Sequence, residues 1–350
     1  MTNMTQTTLL TPAEIAPARE MAGRVIEQLD RILLGRHELH KMALVGILSR
    51  GHILLEGLPG LGKTALVRAM GDVLTLKFSR VQFTPDLMPS DILGAHILQE
   101  TSPGKREMIF QPGPVFTNIL LADEINRASP KTQSAMLETM QERTVTLLGV
   151  TRPLPSPFFV LASQNPIELE GTYPLPEAQL DRFLFKLMVT DVNVDVLTDI
   201  IGTRRRGESP KSEWAMSAEQ LNSLFTTMDR IFMPKPVARY IARLVAATHA
   251  DYLETPADIR DYIAYGCSPR AAIAIAEAAR AVALIEGRPT AGFEDVRVVA
   301  TAVINHRLIL NYKAKFDRVD TMTVIRRILE VTKESEADLP DDILVKKGDA

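Results

Sequence analysis

The stretch Gly57-Leu58-Pro59-Gly60-Leu61-Gly62-Lys63-Thr64 fits the phosphate-loop pattern G-x-x-x-x-G-K-[ST]. The apolar run Ile53–Leu55 precedes it and a helix-like run, Ala65–Met70, follows it, which is the strand–loop–helix context that the motif requires. Glycines let successive backbone N–H groups turn toward phosphate oxygens, and the following helix adds its positive N-terminal end. The stretch therefore predicts a nucleotide-phosphate site.

The side chains at the end of this loop have expected roles of their own. Lys63 is expected to reach the β- and γ-phosphates, and the hydroxyl of Thr64 is expected to bind Mg²⁺. The alternative interpretation is a glycine-rich turn without a ligand, which the flanking strand and helix disfavour. The predicted nucleotide-binding residues of the loop are Gly57, Pro59, Gly60, Leu61, Gly62, Lys63, Thr64 and Ala65.

The composition is typical of a globular protein. Of the 350 residues, 46% are hydrophobic and 24% are charged, and this length suggests two domains. The net charge of −3 gives no overall bias toward nucleic acid or an anionic membrane. The single cysteine, Cys267, excludes an internal disulfide and fits a reducing compartment. Because the sequence shows neither a signal peptide nor an apolar run of membrane-spanning length, we expect a cytoplasmic protein without membrane insertion.

Strand and helix patterns alternate through the first part of the chain. Continuous apolar strands separated by helices imply a parallel sheet that helices cover on both faces. The segment 84–116 carries five prolines and three glycines, so we expect it to leave the sheet and to contain a short helix or a hairpin. The predicted strands are Ile53–Glu56, Leu76–Phe83, Ile119–Glu124, Phe158–Ala162 and Phe183–Val189, and Val145–Pro153 predicts a β-hairpin around Gly149.

After about Val192 the strand patterns stop and helical patterns continue to the C-terminal region. Helices are predicted at about 217–229, 235–251, 268–286, 293–308 and 319–333. The predicted organisation is a flexible tail over 1–10, an α/β nucleotide-binding domain over 11–206, a helical domain over 207–340 and a C-terminal tail over 341–350.

Polar side chains follow two of the apolar strands. Asp123 and Glu124 end one strand, and Asn165 ends the next one. In open α/β sheets, ligands bind at the carboxyl ends of the strands. We therefore expect Asp123 to hold Mg²⁺ against the phosphates and Glu124 to activate the attacking water. Asn165 could hydrogen-bond the γ-phosphate or the water, although, taken alone, an ordinary turn residue before Pro166 is the favoured explanation.

Two arginines need an explanation as well. Arg182 lies beside the last predicted strand, either in a structural ion pair or as a finger that a neighbouring subunit inserts to stabilise transition-state charge. Arg270 begins a predicted helix, where a cation opposes the helix dipole unless an anion lies nearby. Asn126 and Arg127, directly after the acids, either touch nucleotide across a subunit border or brace the loop.

Six stretches together resemble the MoxR family of AAA+ ATPases. The resemblance runs from about Glu14 to Glu330, nearly the whole chain, and its most specific parts are the Leu175–Phe183 string and the Asn126-Arg127 pair. The six stretches are Gly57–Thr64, Ile119–Glu124, Asn126–Ala128, Ser163–Pro166, Leu175–Phe183 and Ser268–Ala271.

The resemblance implies a fold and a role for each motif. The fold would be a phosphate-loop AAA+ core of three αβα layers with a parallel five-stranded sheet, followed by an all-helical lid domain. Segment 84–116 would contain the insert in helix 2, and 145–153 would be the hairpin before sensor 1. The implied roles are Walker A for Lys63 and Thr64, Walker B for Asp123 and Glu124, sensor 1 for Asn165, sensor 2 for Arg270, the arginine finger for Arg182, and adenine contacts for Leu34 and Gly35.

The resemblance also implies an activity and partners. Such proteins hydrolyse ATP with Mg²⁺ in ring oligomers, here expected to be homo-hexameric, and are similar in role to chaperones. Their partners are proteins with a von Willebrand A-type domain, often in metal-cofactor insertion or complex maturation. Two alternatives remain open, a nucleic-acid motor or loader on the same core and a slow nucleotide-switch scaffold. The charge balance disfavours the first, and Glu124, Asn165 and Arg182 disfavour the second.

Overall fold

The computed structural model describes residues 9–102, 105–166, 171–204 and 209–334. The predicted C-terminal tail 341–350, most of the predicted N-terminal tail and the domain boundary near residue 206 therefore lie outside the described residues. Leu10 is the exception within the first tail, because its side chain is buried in the core.

The described residues form fourteen α-helices and eleven β-strands. The helices are α1 (Pro12–Ile32), α2 (His37–Leu48), α3 (Lys63–Val73), α4 (Pro89–Leu93), α5 (Pro130–Glu142), α6 (Glu177–Leu180), α7 (Val194–Thr203), α8 (Ala218–Asp229), α9 (Lys235–Ala246), α10 (Ala257–Arg260), α11 (Pro269–Ile285), α12 (Phe293–Ile304), α13 (Tyr312–Phe316) and α14 (Thr321–Val331). The strands are β1 (Ile53–Glu56), β2 (Phe78–Gln82), β3 (Gly94–Ser102), β4 (Lys105–Pro112), β5 (Ile119–Asp123), β6 (Thr144–Leu147), β7 (Val150–Pro153), β8 (Phe159–Gln164), β9 (Phe185–Met188), β10 (Ile263–Tyr265) and β11 (Ile309–Leu310).

The predicted parallel five-stranded sheet is confirmed, and its strand order is β2-β5-β8-β1-β9. Every neighbouring pair in it is parallel. The central strands β5 and β8 are buried along their length, because helices cover both faces. All five carboxyl ends therefore meet at one edge of the sheet, which we call the carboxyl edge, and the five amino ends meet at the opposite edge, the amino edge.

The interruptions of the α/β pattern are local hairpins. Segment 84–116 contains both of the expected elements, the short helix α4 and the antiparallel hairpin β3–β4. The second predicted hairpin is β6–β7, whose turn is Leu148-Gly149. Each hairpin is inserted in the chain between two strands that are direct neighbours in the sheet, so neither hairpin takes part in the pairing of the five strands.

The C-terminal part is helical, and each of the five predicted helices is present. The Ala-rich helix α11 lies at its centre and packs against α9, α12, α1 and α2, because its alanines allow close helix approach. The structure adds one element to the expected all-helical lid, the antiparallel ribbon β10–β11. Its strands have three and two residues, which is too short for a period-two pattern to reveal.

His52 connects the start of β1 to two other elements. The N–H of Val160 donates to its Nδ1 at 2.9 Å, and its Nε2 donates to the carbonyl of Met140 at 3.1 Å. Because a backbone N–H can only donate, the ring is the neutral tautomer with its proton on Nε2. Burial lowers the pKa of His52 to about 4, so the folded protein resists protonation of this ring.

We expect the free energy of unfolding to fall as the pH drops from about 6.5 toward 4. In this window the unfolded chain binds a proton at His52 that the folded chain does not, which costs up to about 1.4 kcal/mol per pH unit. Urea titrations across this window measure the slope, which His52→Asn should reduce. Ser49→Ala supplies the control, since it removes only a hydroxyl contact to the carbonyl of Val45 and should leave the slope unchanged. Equal slopes for the His52 variant and the unaltered chain would contradict the assignment.

Candidate functional site

The phosphate loop has the backbone shape that its sequence predicts. Gly60 and Gly62 have φ of 82° and 79°, which lie in the left-handed region where glycine has no steric penalty. Gly62 is the N-cap of α3 and Lys63 is its first residue. The Nζ of Lys63 donates to the carbonyls of Gly57 at 2.5 Å and Gln164 at 3.4 Å. Burial lowers the pKa of Lys63, so an approaching anion would stabilise its charged form.

Asp123 ends β5 at the carboxyl edge, and both of its carboxylate oxygens are hydrogen-bonded. Its Oδ1 accepts from the buried hydroxyl of Ser163 at 2.5 Å. Its Oδ2 accepts from Arg80 on β2, at 2.7 Å from Nη2 and 3.0 Å from Nε. Two neighbouring strands therefore fix the orientation of this carboxylate, and the ion pair with Arg80 balances its charge.

Glu124, the next residue, has a backbone conformation that is rare for residues other than glycine. Its φ is 55° and its ψ is 50°, a left-handed conformation that costs about 1–3 kcal/mol and concentrates at functional sites. Its N–H donates to the Ser163 hydroxyl at 2.9 Å. Its Oε2 accepts from Gln82 at 2.7 Å and from Arg127 at 3.0 Å. Arg127 thus braces the acid within its own chain.

Asn165 lies at the same edge, one residue after β8, and is buried. It lines a cavity of about 230 Å³ together with Glu56 and Gln164 at the ends of β1 and β8. Asn126 borders this cavity too, and its buried Oδ1 has no hydrogen-bond partner among the described residues. The structure thus brings Lys63, Thr64, Asp123, Glu124 and Asn165 to one edge of the sheet.

The two residues expected at the adenine lie in different surroundings. Gly35 lies against α7, where an added Cβ would come within 2.5 Å of the Val196 side chain. Leu34 faces a groove of about 510 Å³ between α1, α2 and the end of α11. The side chain that reaches the phosphate loop is that of Leu33, whose Cδ2 is 3.6 Å from the Cβ position of Gly62. Leu33 was absent from the sequence prediction.

Arg182 and Arg270 lie together, away from the phosphate loop. Leu184 donates its N–H to the carbonyl of His52, one residue before β1 begins, so this segment is at the amino edge. The four residues of β1, at about 3.3 Å each, put roughly 13 Å between the two edges. Nη1 of Arg182 donates to the carbonyl of Leu137 on α5 at 2.7 Å, and its buried Nε has no partner among the described residues.

Arg270 has the nearby anion that its place at a helix N-terminus requires. Its Nη1 is 3.6 Å from the carboxylate of Asp181, the residue just before Arg182. The same carboxylate accepts from Ser268 at 3.1 Å and from Nε of Arg307 at 2.8 Å. Burial lowers the pKa of Arg307, against the opposing effect of the Asp181 hydrogen bond and charge. Asp181 thus joins the helical part of the chain to the segment that carries Arg182.

Besides Leu33, five residues around these sites were assigned no role from the sequence. Arg80 and Gln82 had a usable signal, because the alternation of buried Val81 and Phe83 with exposed neighbours puts both polar side chains on one face of an edge strand. The other three, Ser163, Asp181 and Arg307, contact partners that are distant in sequence and gave no local signal.

Two features that the described residues lack bear on the kind of site. No helix in the ranges from 9 to 334 that the structure describes is long and apolar enough to cross a membrane. In the same ranges no three histidine, cysteine or acidic side chains converge in a way that could hold a metal ion by themselves. A magnesium ion bound mainly by phosphates needs only one or two protein ligands.

Comparisons with known proteins agree with this geometry. Residues 52–185 match the family described as "ATPase family associated with various cellular activities (AAA)", and residues 256–328 match the AAA lid domain. Chaperone MoxR1 of Mycobacterium tuberculosis is 44% identical over 307 residues, which cover 88% of this chain and 80% of that protein. The uncharacterized protein YeaC of Bacillus subtilis is 38% identical over 314 residues, with 89% and 94% covered. A crystal structure of a "putative ATPase" from Cytophaga hutchinsonii superposes with a TM-score of 0.83 at 38% identity, covering 92% of this chain and 97% of that one.

Proposed function

Because the chain belongs to the MoxR family of AAA+ ATPases, we propose that it hydrolyses ATP with Mg²⁺ in a pocket that two copies of the chain share. The observation that carries this proposal is the separation of the predicted site residues. The phosphate loop and the acids lie at the carboxyl edge, whereas Arg182 and Arg270 lie at the amino edge. Two different surfaces that complete one site imply head-to-tail contacts, which form a ring when the rotation from copy to copy closes. We propose a ring of six copies, in the cytoplasm.

Within one copy, the loop would bind the triphosphate and Lys63 would turn from the Gly57 carbonyl to the β- and γ-phosphates. Thr64 and Asp123 present hydroxyl and carboxylate oxygens, the ligand type that Mg²⁺ prefers, and Ser163 fixes the carboxylate. Mg²⁺ held by these residues would supply positive charge that stabilises the negative charge of the phosphates. Glu124 would take the proton of the attacking water, and Asn165 would orient that water. A second copy would supply Arg182 and Arg270 to the developing charge.

Ser163 offers a test of the magnesium assignment. The Ser163→Ala change removes the hydroxyl that holds both Asp123 and the backbone of Glu124. We expect the Mg²⁺ concentration for half-maximal ATPase activity to rise about tenfold or more, as for other groups that orient metal ligands. The distant Ser49→Ala, which removes only a helix-end contact to Val45, should leave it unchanged. An unaltered Mg²⁺ dependence in Ser163→Ala would contradict the role of Asp123.

The proposed work of the ring is the remodelling or maturation of client proteins, as in the relative described as a chaperone. We propose a partner with a von Willebrand A-type domain, with insertion of a metal cofactor into a larger complex as the outcome. The Glu124→Gln variant, held in its ATP state, is the bait that tests this, with Lys63→Ala as the matched control. Capture of such a partner by the first variant and not the second is expected, and equal capture by both would contradict an ATP-dependent client.

The second candidate function is a nucleic-acid motor on the same core. The net charge of −3 argues against it, because nucleic-acid binding requires a basic surface. Filter binding with single- and double-stranded DNA at several salt concentrations separates the two functions. Tight binding that weakens steeply with salt would favour the motor, and its absence is expected.

A further inference from the structure

The segment that carries Arg182 is clamped by one arginine of the lid. Arg307 follows α12, and its side chain is 4% exposed. Its Nε donates to the Asp181 carboxylate, its Nη1 to the carbonyls of Leu184 and Val303, and its Nη2 to those of Asp181 and Phe183. All five guanidinium donors are therefore used. Four of these five bonds reach residues 181–184, so Arg307 ties the end of α12 to this segment.

Ser268 is turned toward the same carboxylate. It is the N-cap of α11, where a serine normally accepts a hydrogen bond from the first helical turn. Here the side chain makes no such bond, and its hydroxyl donates to Asp181 at 3.1 Å and 3.3 Å. The start of α11, which carries Arg270, is thereby tied to the residue before Arg182.

The contact of Arg270 with Asp181 is different in kind. Its separation is 3.6 Å, and the arginine side chain is 56% exposed. A loose, exposed ion pair of this sort is worth little, so a phosphate could take over Arg270. Arg307 and Ser268 would still satisfy the Asp181 carboxylate after that exchange.

We propose that Asp181 is a positioning residue, which holds Arg182 and Arg270 as one unit and presents both to the nucleotide of the neighbouring copy. This inference rests on the proposed shared pocket. In a free copy, Asp181 offsets part of the positive charge of Arg270 and Arg307 and keeps Arg270 beside Arg182. Where two copies meet, the Arg270 side chain turns from Asp181 to the phosphates of the neighbouring copy. Arg307 meanwhile holds residues 181–184, which include Arg182, in place.

The variant that tests the proposal is Asp181→Asn, which keeps an oxygen acceptor of the same shape and removes the charge. We expect kcat for ATP hydrolysis to fall about 10²-fold, the usual consequence of a misplaced catalytic group. KM for ATP should change less than about threefold, because the phosphate loop and the acids that bind the nucleotide are unaltered. Asp258→Asn removes an exposed lid ion pair with Arg327 and should leave both constants unchanged.

Mixing experiments separate positioning from a general structural defect. Asp181→Asn copies have an intact phosphate loop and intact acids. Mixing them with Lys63→Ala copies should therefore restore activity at borders where the Lys63→Ala copy supplies the arginines. Asp181→Asn mixed with Arg182→Ala should stay inactive, because neither variant supplies a working pair. Recovery of activity when Asp181→Asn is mixed with Arg182→Ala would overturn the proposal. So would a failure of Asp181→Asn to recover with Lys63→Ala under conditions in which Arg182→Ala does recover with Lys63→Ala. If that last mixture also fails, the shared pocket itself is wrong.

A milder variant covers the case in which Asp181→Asn does not fold. The Ser268→Ala change does not remove a cap from α11, because the Ser268 hydroxyl makes no capping hydrogen bond. We expect kcat to fall several-fold with an unchanged thermal unfolding midpoint, and rescue only by Lys63→Ala copies. An unchanged kcat in this variant would contradict the role of the Asp181 cluster.

Discussion

Replacing Arg182 by alanine is expected to lower the rate of ATP hydrolysis by about 10³–10⁵-fold, the range for removal of an arginine supplied to a phosphoryl transition state. Nucleotide binding should persist, because Lys63 and the phosphate loop lie at the opposite edge of the sheet. Steady-state hydrolysis and the binding of a fluorescent ATP analogue measure the two effects separately. The exposed lid residue Arg327 provides the control, since Arg327→Ala removes a guanidinium of equal size and should leave the rate unchanged.

The same variant distinguishes an arginine that acts between copies from one that acts within its own copy. Arg182→Ala copies keep the phosphate loop and both acids, and Lys63→Ala copies keep both arginines. Mixing the two inactive proteins should therefore restore part of the activity. The recovered rate should be proportional to the fraction of borders at which an Arg182→Ala copy supplies the phosphate loop and a Lys63→Ala copy supplies the arginines. No recovery at any ratio, with both variants still assembling, would show that Arg182 does not act across a border.

The second large effect is expected for Glu124→Gln. The amide cannot accept the proton of the attacking water, so turnover should fall by about 10²–10⁴-fold, the usual contribution of a general base. The amide keeps the size of the acid and can still accept from Gln82, so ATP should remain bound. Single-turnover hydrolysis and retention of radiolabelled ATP on the protein provide the measurements. A variant that hydrolyses ATP at the original rate would remove Glu124 from the role of base.

The sequence was informative where chemistry is encoded locally. The phosphate loop, the two acids and Asn165 each follow an apolar strand, and parallel strands bring such positions to one edge. That reasoning predicted the carboxyl edge correctly without any knowledge of the strand order. The helix starts are equally local features, because Thr11, Ser129 and Ser217 each accept a hydrogen bond from the first turn of the helix that follows.

The amino edge could not be predicted in this way. Arg270 is one residue beyond the start of a helix, and no local pattern indicates which edge of the sheet that helix approaches. Asp181 and Arg307 are separated by 126 residues, so their contact depends on how the lid packs on the core. The left-handed backbone of Glu124 is a tertiary effect too, since the Ser163 hydroxyl on the neighbouring strand holds its N–H.

The central claim is that one copy of the chain has half of a catalytic pocket. Its most direct test is the ATPase rate per chain across a dilution series, with the assembly state of each sample measured by mass photometry. We predict that the rate per chain falls with the fraction of assembled protein and is lost when only single copies remain. A constant rate per chain down to samples that contain only single copies would contradict the claim.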